Sequence, residues 1–391
     1  MSGALAGLKV LDLSFYAPGR WASMVLADMG ADVVCVEMPR GSRPGDYNTL
    51  DSDTHPRWFL YQRNKRSITL NLKSPGAMTV FERLAKNADV VIESYKPGTA
   101  ERLGVDYAAV RKLNPDVVYC SVSGFGQTGP YRDMIGHEPN YQGLSGLLGQ
   151  NWPDGGEPHM NAALAGDVGG GSATALIAML AAVVHRLKGG PGQYIDVAIC
   201  AGIVPFLGVS TYGEWYGDGY YSQNMASNRR PGTRAYRTKD GKYVAISPSE
   251  PWRWKRFCDA IGAPDLVKYF HPAEPGGVEA LSRGLAEAFA TRTQEEWTEL
   301  NQRENLTITP VLTSVAELER DPQMIHREMF VELDYEPMGK VKQVGIPYKM
   351  SETPSEIRWM PRYGQHTRDV LGELGFTASE LDKLRADGVC E

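Results

Sequence analysis

Apolar runs alternate with helix-spaced stretches from the start of the chain. Residues 8–13 form a short apolar run, residues 21–29 carry apolar side chains at helical spacing, and residues 32–37 (DVVCVE) form a second run. Phe15-Tyr16-Ala17-Pro18-Gly19 reads as the turn between strand and helix, and Gly30 stands where a helix closes. The pattern recurs, with helical spacing over 78–87 and 107–113 and strand-like runs at 89–93 and 117–121. Helices interleaved with apolar strands over roughly 120 residues predict a parallel sheet with helices on its faces, a Rossmann-like α/β segment.

The middle is punctuated by glycine. Residues 124–130 and 136–146 read as loops, and a small-residue apolar helix starts after Gly169-Gly170-Gly171 and is closed by Gly189-Gly190-Pro191-Gly192. Residues 212–231 read as a linker, residues 237–246 as a hairpin around Asp240-Gly241, and helical stretches follow to 303. The expected organisation is α/β: a Rossmann-like large domain over 1–210, completed by 340–391, and a smaller α+β domain over 226–325. Linkers at 211–225 and 326–339 join them.

Composition narrows the class. Among 391 residues, 41 Lys plus Arg face 47 Asp plus Glu, a net charge of −6, so the basic surplus of a nucleic-acid binder is missing. Five dispersed cysteines without a CxxC pair point to a reducing compartment rather than a disulfide framework or a zinc site. Residues 1–8 do not read as a signal peptide. The apolar run at 173–184 is shorter than a bilayer span, so a cytoplasmic protein without membrane contact is expected. The first strand–helix turn is not GxGxxG and no P-loop occurs, which gives no support for a nicotinamide or flavin cofactor.

Three features could carry chemistry. His137-Glu138 lies in the loop Gly136-His137-Glu138-Pro139-Asn140-Tyr141, which is not HExxH, so no metal is expected; an imidazole beside a carboxylate can move protons near neutral pH. Asp167 stands before the apolar helix, where it reads both as an N-cap and as a carboxylate in a pocket, its neighbouring glycines freeing the backbone to approach a ligand. Arg63, Lys65 and Arg66, with Arg57, Lys73, Lys96 and Arg102 nearby, read either as a solvated basic face or as a phosphate site.

At these residues the chain resembles the class III CoA-transferase family (CaiB/BaiF type), which includes the α-methylacyl-CoA racemases. The segments that carry the likeness are 8–14, 26–34, 36–39, 63–73 (RNKRSITLNLK), 95–98, 102–104, 124–130 (GFGQTGP), 309–311 and 364–367. His137, Asn140 and Tyr141 match the racemase pattern Gly-His-Asp-x-Asn-Tyr, with Glu138 and Pro139 departing from it. Asp167 falls where the second base is expected.

The resemblance implies an acyl-CoA racemase or epimerase acting on 2-methyl-branched thioesters, with no cofactor beyond the CoA of the substrate. Neutral His137 and ionised Asp167 would take the α-proton from opposite enantiomers. An enolate oxygen would be held by N–H groups of the helix after Gly169, and Glu250 would orient His137 from the small domain. CoA would lie along Arg40, which replaces an Arg expected at Met38, and along Leu70, Asn71, Leu72, Lys73, Ser94, Tyr95, Lys96 and Arg102, with Gly136, Asn140 and Tyr141 at the reacting end. The family also implies an interlocked homodimer. The alternative is a CoA-transferase with Glu138 as nucleophile; a second is a silent CoA-binding homologue.

Overall fold

The computed structural model describes residues 3–40, 53, 60–150, 157, 160, 162–216, 231–270 and 276–391. They fall into two compact units. The larger combines residues 1–145, 161–205 and 321–391; the smaller combines 146–160 and 206–320.

Six short strands build the larger unit: β1 (Lys9–Asp12), β2 (Asp32–Glu37), β3 (Arg66–Thr69), β4 (Val90–Glu93), β5 (Val118–Ser123) and β6 (Tyr194–Ala198). All pairings are parallel and the order is β3-β2-β1-β4-β5-β6. The order reverses beside β1, a point where the loops at the carboxyl ends of neighbouring strands part and leave a crevice. β2, β4 and β5 read as nearly continuous apolar runs because both of their faces are covered. On one face the helix Ala77–Asn87 buries Val80, Phe81 and Leu84 in a core that also holds Leu11, Val91 and Tyr119. Residues far along the chain complete this core: Val370, Leu371, Leu381 and Val389.

The helix Ala17–Asp28 starts with a proline in its first turn, and Gly19 follows because a Cβ there would collide with the Ser14 side chain. A π-helical stretch, Ala165–Ala173, runs directly into the helix Thr174–Leu187. The glycine run inside it has a packing cause. A Cβ on Gly170 would overlap the carbonyl oxygen of Ile199, and one on Gly202 would overlap the carbonyl oxygen of Gly170. These glycines therefore let two helices cross backbone to backbone, rather than opening the backbone to a ligand as the sequence suggested. Gly170→Ala is expected to destabilise the protein by about 1–3 kcal/mol through overpacking, read as a lower midpoint in thermal or urea unfolding.

The joined helix, Ala165–Leu187, has 23 residues and by length and composition could cross a membrane, so the shorter run at 173–184 understated it. Its inner face, with Ala175, Met179, Ala182 and Val183, is buried, and the helix packs on β5, β6 and Ala17–Asp28. Ile177, Val184 and Leu187 point outward.

The basic segment before β3 is neither a solvated face nor a phosphate site. Lys65 is fully buried, its Nζ donating to Asp12 at 3.1 Å, to the Ser23 hydroxyl at 2.7 Å and to the Arg20 carbonyl at 2.9 Å. Arg63 grips Asp28, with Nη2 at 2.7 Å, and Arg66 pairs with Asp32 and Glu373. The acids that meet these cations come from β1 (Asp12), the helix after it (Asp28), β2 (Asp32) and the helix Thr367–Glu373, so the cluster ties β3 to its own sheet and to the end of the chain. Arg57 lies outside the described residues.

In the smaller unit, β7 (Arg234–Arg237) and β8 (Tyr243–Ile246) form the expected hairpin, its turn closed by Gly241 at φ +79, and β9 (Ile308–Pro310) adds to β8. The helices Pro251–Ala260, Gly277–Phe289 and Gln294–Glu304 pack Trp254, Phe257, Leu285, Phe289 and Trp297 into its core. The boundaries differ from those expected. The first residues of the supposed linker at 211–225 belong to a helix, Gly208–Tyr216, and 217–230 lie outside the described residues. The supposed return linker at 326–339 instead carries β10 (Phe330–Tyr335), which pairs with β11 (Gly339–Val344) inside the larger unit. Continuous apolar patterning hides such two-stranded ribbons, because β10 and β11 alternate polar and apolar residues with only one side covered.

Candidate active site

The carboxyl ends of the parallel strands open into a cavity of about 630 Å³. Its wall is made of the turn after β1 (Phe15 to Pro18), the end of β2 (Glu37), the segment after β4 (Ser94 to Pro97) and the end of β5 (Val122 to Phe125). Gly136, His137 and Tyr141 close one side, and Asp167 joins them from the π-helical stretch.

His137 is the residue before the helix Glu138–Leu144 and has extended backbone angles. Its backbone N–H donates to the Asn140 side-chain oxygen at 2.9 Å. The Tyr141 hydroxyl donates to the Gly136 carbonyl, and a Cβ on Gly136 would run into the Tyr141 and Phe125 rings, which explains glycine there. Asn140, Tyr141 and Gly136 thus hold the loop that presents His137.

Glu138 points the other way. It is 6% exposed and accepts the backbone N–H groups of Gly166 and Asp167, both at 2.6 Å, and the Gln142 side-chain amide at 2.7 Å. It is not part of the cavity wall. A carboxylate at the start of a helix is favoured by the free N–H groups and the helix dipole. The side chain offered by the sequence as an alternative nucleophile is therefore fully engaged as an anchor for the Asp167 segment. The expected oxyanion donors are not there, because the helical stretch already starts at Ala165 and no helix N-terminus follows Gly169; at its actual start Gly166 and Asp167 give their N–H groups to Glu138, and Val168 and Gly169 give theirs to the Leu164 carbonyl. Asp167 itself is the third residue of the π-helical stretch rather than an N-cap.

Burial, and then the neighbouring Glu138 charge, push the Asp167 carboxyl up to about 6, with His137 pulling the other way. Tyr61, absent from the sequence reading, also faces this cavity; burial and then the Asp167 charge raise its phenol, which stays a proton donor. Gln62 and Ser123 share the wall, both nearly fully buried. Tyr61 and Gln62 carry no motif of their own; only their place beside the NKRSI segment could have drawn attention to them.

The expected CoA contacts divide. Ser94, Tyr95 and Lys96 line the cavity; Leu70, Asn71, Leu72, Lys73 and Arg102 do not. Leu70 is core, the Asn71 N–H is given to the Val389 carbonyl, Leu72 packs against the same core, and Lys73 and Arg102 are exposed. The Arg40 guanidinium pairs with Asp53 at 2.9 Å and lies over the Tyr363 ring. Glu250 belongs to the smaller unit, where it precedes the helix Pro251–Ala260 and pairs with Arg253 at 3.1 Å.

Fold and site together define an α/β protein with an imidazole and a high-pKa carboxyl facing one crevice at the strand ends. The sequence profile of CoA-transferase family III matches residues 5–367, and the chain belongs to that family. It is 31% identical to the human "Alpha-methylacyl-CoA racemase", over 99% of this chain and 98% of that one. It is equally 31% identical to the "Succinate--glutarate CoA-transferase" of Agrobacterium fabrum, over 95% of each. A CAIB/BAIF family protein from Brucella suis has the same fold, with a TM-score of 0.78 and 26% identity over 96% of this chain and all of that one.

Proposed function

We propose that the protein is an acyl-CoA racemase or epimerase acting on 2-methyl-branched thioesters. The observation that carries this reading is His137 and Asp167 on the wall of one cavity, with the Asp167 carboxyl raised to about 6. A carboxyl raised to about 6 can hold or release a proton near neutral pH, and an imidazole is the side chain best suited to exchange one with a substrate there. A thioester acidifies its α-C–H because the enolate carries charge on the carbonyl oxygen. With Asp167 protonated, His137 takes the α-proton, the C–H pair moves onto the oxygen, and Asp167 returns a proton to the other face. The reverse direction starts with imidazolium and carboxylate. The Tyr61 phenol is a donor available to the enolate oxygen. The parallel sheet, read as a Rossmann-like platform, would carry CoA at its strand ends, with Ser94, Tyr95 and Lys96 against it and no cofactor beyond CoA.

The test is proton exchange. A single-enantiomer 2-methylacyl-CoA incubated with the enzyme in D₂O should gain one α-deuteron and lose optical purity. Absence of both across several acyl chains would overturn the racemase reading. Glu138→Gln removes the charge that helps raise Asp167, so with the enantiomer whose proton Asp167 takes, the acid limb of the pH profile should move to lower pH; an unmoved limb would separate that limb from Asp167.

A second reading has one observation in its favour. If the protein moves CoA between acids, as the Agrobacterium relative's name states for that protein, the available nucleophile is Asp167, since Glu138 is consumed by hydrogen bonds. An acyl- or CoA-adduct would then map to Asp167 by peptide mass. For assembly we propose a homodimer, with the outward Ile177, Val184 and Leu187 covered by the second copy; light scattering would read a mass near 86 kDa, twice 43.0 kDa.

A further inference from the structure

We infer that Gln62 is a binding residue of the cavity, whose side-chain oxygen accepts a hydrogen bond from an N–H or O–H group of the acyl-CoA. The inference rests on the acyl-CoA reading above and adds a contact to it.

Gln62 is 6% exposed, and its Oε1 is buried without a hydrogen-bond partner among the described residues. A buried acceptor left unmade costs about 1–3 kcal/mol, so a native cavity that keeps one is shaped for a donor. The orientation of the amide is fixed by chemistry. Its Nε2 donates to Glu37 Oε1 at 3.0 Å, and a carboxylate accepts only, so nitrogen must face Glu37 and oxygen must face away. Glu37 is in turn held by Arg20, whose Nη2 lies 3.0 Å from Oε2. The backbone is equally constrained. The Lys65 N–H closes a turn on the Gln62 carbonyl, Asn64 takes a left-handed φ of +62, and Arg63 and Asn64 both hold Asp28. Gln62 is one of the residues lining the cavity that holds His137 and Asp167. A constrained acceptor on a residue of the cavity wall, left without a protein partner, is a recognition element, and what satisfies it must donate.

An acyl-CoA offers two sources of such a donor. The pantetheine arm has two amide N–H groups, and some acyl chains carry a hydroxyl. Gln62→Met keeps the shape and removes the acceptor. Titration calorimetry with free CoA should then show about tenfold weaker binding than wild type, the size of one hydrogen bond. A CoA analogue with one arm amide replaced by an ester should lose as much on the wild type and nothing more on Gln62→Met. That pattern assigns the donor to the arm. Unchanged CoA binding with weaker binding of a hydroxylated acyl-CoA assigns it to the acyl chain and also supports the inference. Unchanged affinity for both ligands overturns it. Should Gln62→Met fail to fold, the ester analogues and a deoxy acyl-CoA on the wild type still decide: no loss with any of them removes Gln62 from recognition. Binding rather than turnover is read, so a wild type that binds CoA without racemising leaves this inference standing. A wild type that binds no CoA at all ends both readings.

Discussion

Asp167→Asn should abolish racemisation yet leave α-deuterium uptake from one enantiomer only. In the proposed reaction two bases on opposite faces would divide the work: each would remove the proton of one enantiomer, and inversion would need both. Asparagine keeps the shape and removes the proton-carrying carboxyl. The remaining His137 can still exchange the proton that faces it. The loss in inversion should be about 10²- to 10⁴-fold, the usual contribution of a positioned acid or base. His137→Ala should give the mirror result, with exchange confined to the other enantiomer. Chiral chromatography with mass detection reads both quantities in one sample. Equal exchange from both enantiomers in either variant would leave a single-base mechanism and remove Asp167 or His137 from its role.

Lys65→Met should destabilise the protein by about 3–5 kcal/mol, the cost of leaving one member of a buried ion pair alone. Lys65 and Asp12 are both fully buried. Burial alone would raise the Asp12 carboxyl, but the charges of Lys65 and Arg20 and the Ser14 and Ser23 hydroxyls outweigh it and hold it near 2. The sign of the pH dependence follows. A carboxyl held lower in the folded state contributes stability above its unfolded value, near 3.8, and loses it as pH falls toward 2. The deficit of Lys65→Met should therefore be full at pH 7 and shrink below about pH 4, as measured by urea unfolding at several pH values. A deficit independent of pH would mean that lost packing, rather than the lost charge, dominates.

These two residues mark what the sequence could and could not disclose. β1, β2, β4 and β5 were legible because covered strands are written as apolar runs, and the hairpin of the smaller unit was legible from Asp240-Gly241. The Gly-bounded loop with Asn140 and Tyr141 drew attention to His137, which the structure places on the cavity wall. Lys65 was not, because a lysine in a basic run reads as solvated until its acids are known, and Asp12 and Asp28 lie in separate earlier elements. Glu138 and Asp167 were each visible, but not their relation: 29 residues apart, they meet through the backbone N–H of Asp167 and through the Glu138 charge that raises the Asp167 carboxyl. The glycines at 169–171 pointed to close approach, and the partner proved to be another helix, since a missing Cβ records proximity without saying to what. Gln62 had no signal of its own, because an unfilled acceptor is a property of a surface rather than of a string.

The larger unit draws its last layer from residues 321–391, and this has a temporal side. Asn64 is held by the Glu356 and Trp359 carbonyls, Ser67 and Thr69 by the turn at 364–367, and Asn71 by Val389. During synthesis the six strands are complete once residue 198 has left the ribosome, yet nearly two hundred further residues must emerge before that edge of the sheet is covered. A nascent chain would meanwhile carry β3 with its partners missing, a long-lived exposure of the kind that chaperones shield. The cleft at the strand ends would be outlined early, but the wall that fixes β3, and with it the segment carrying Tyr61 and Gln62, would be finished last.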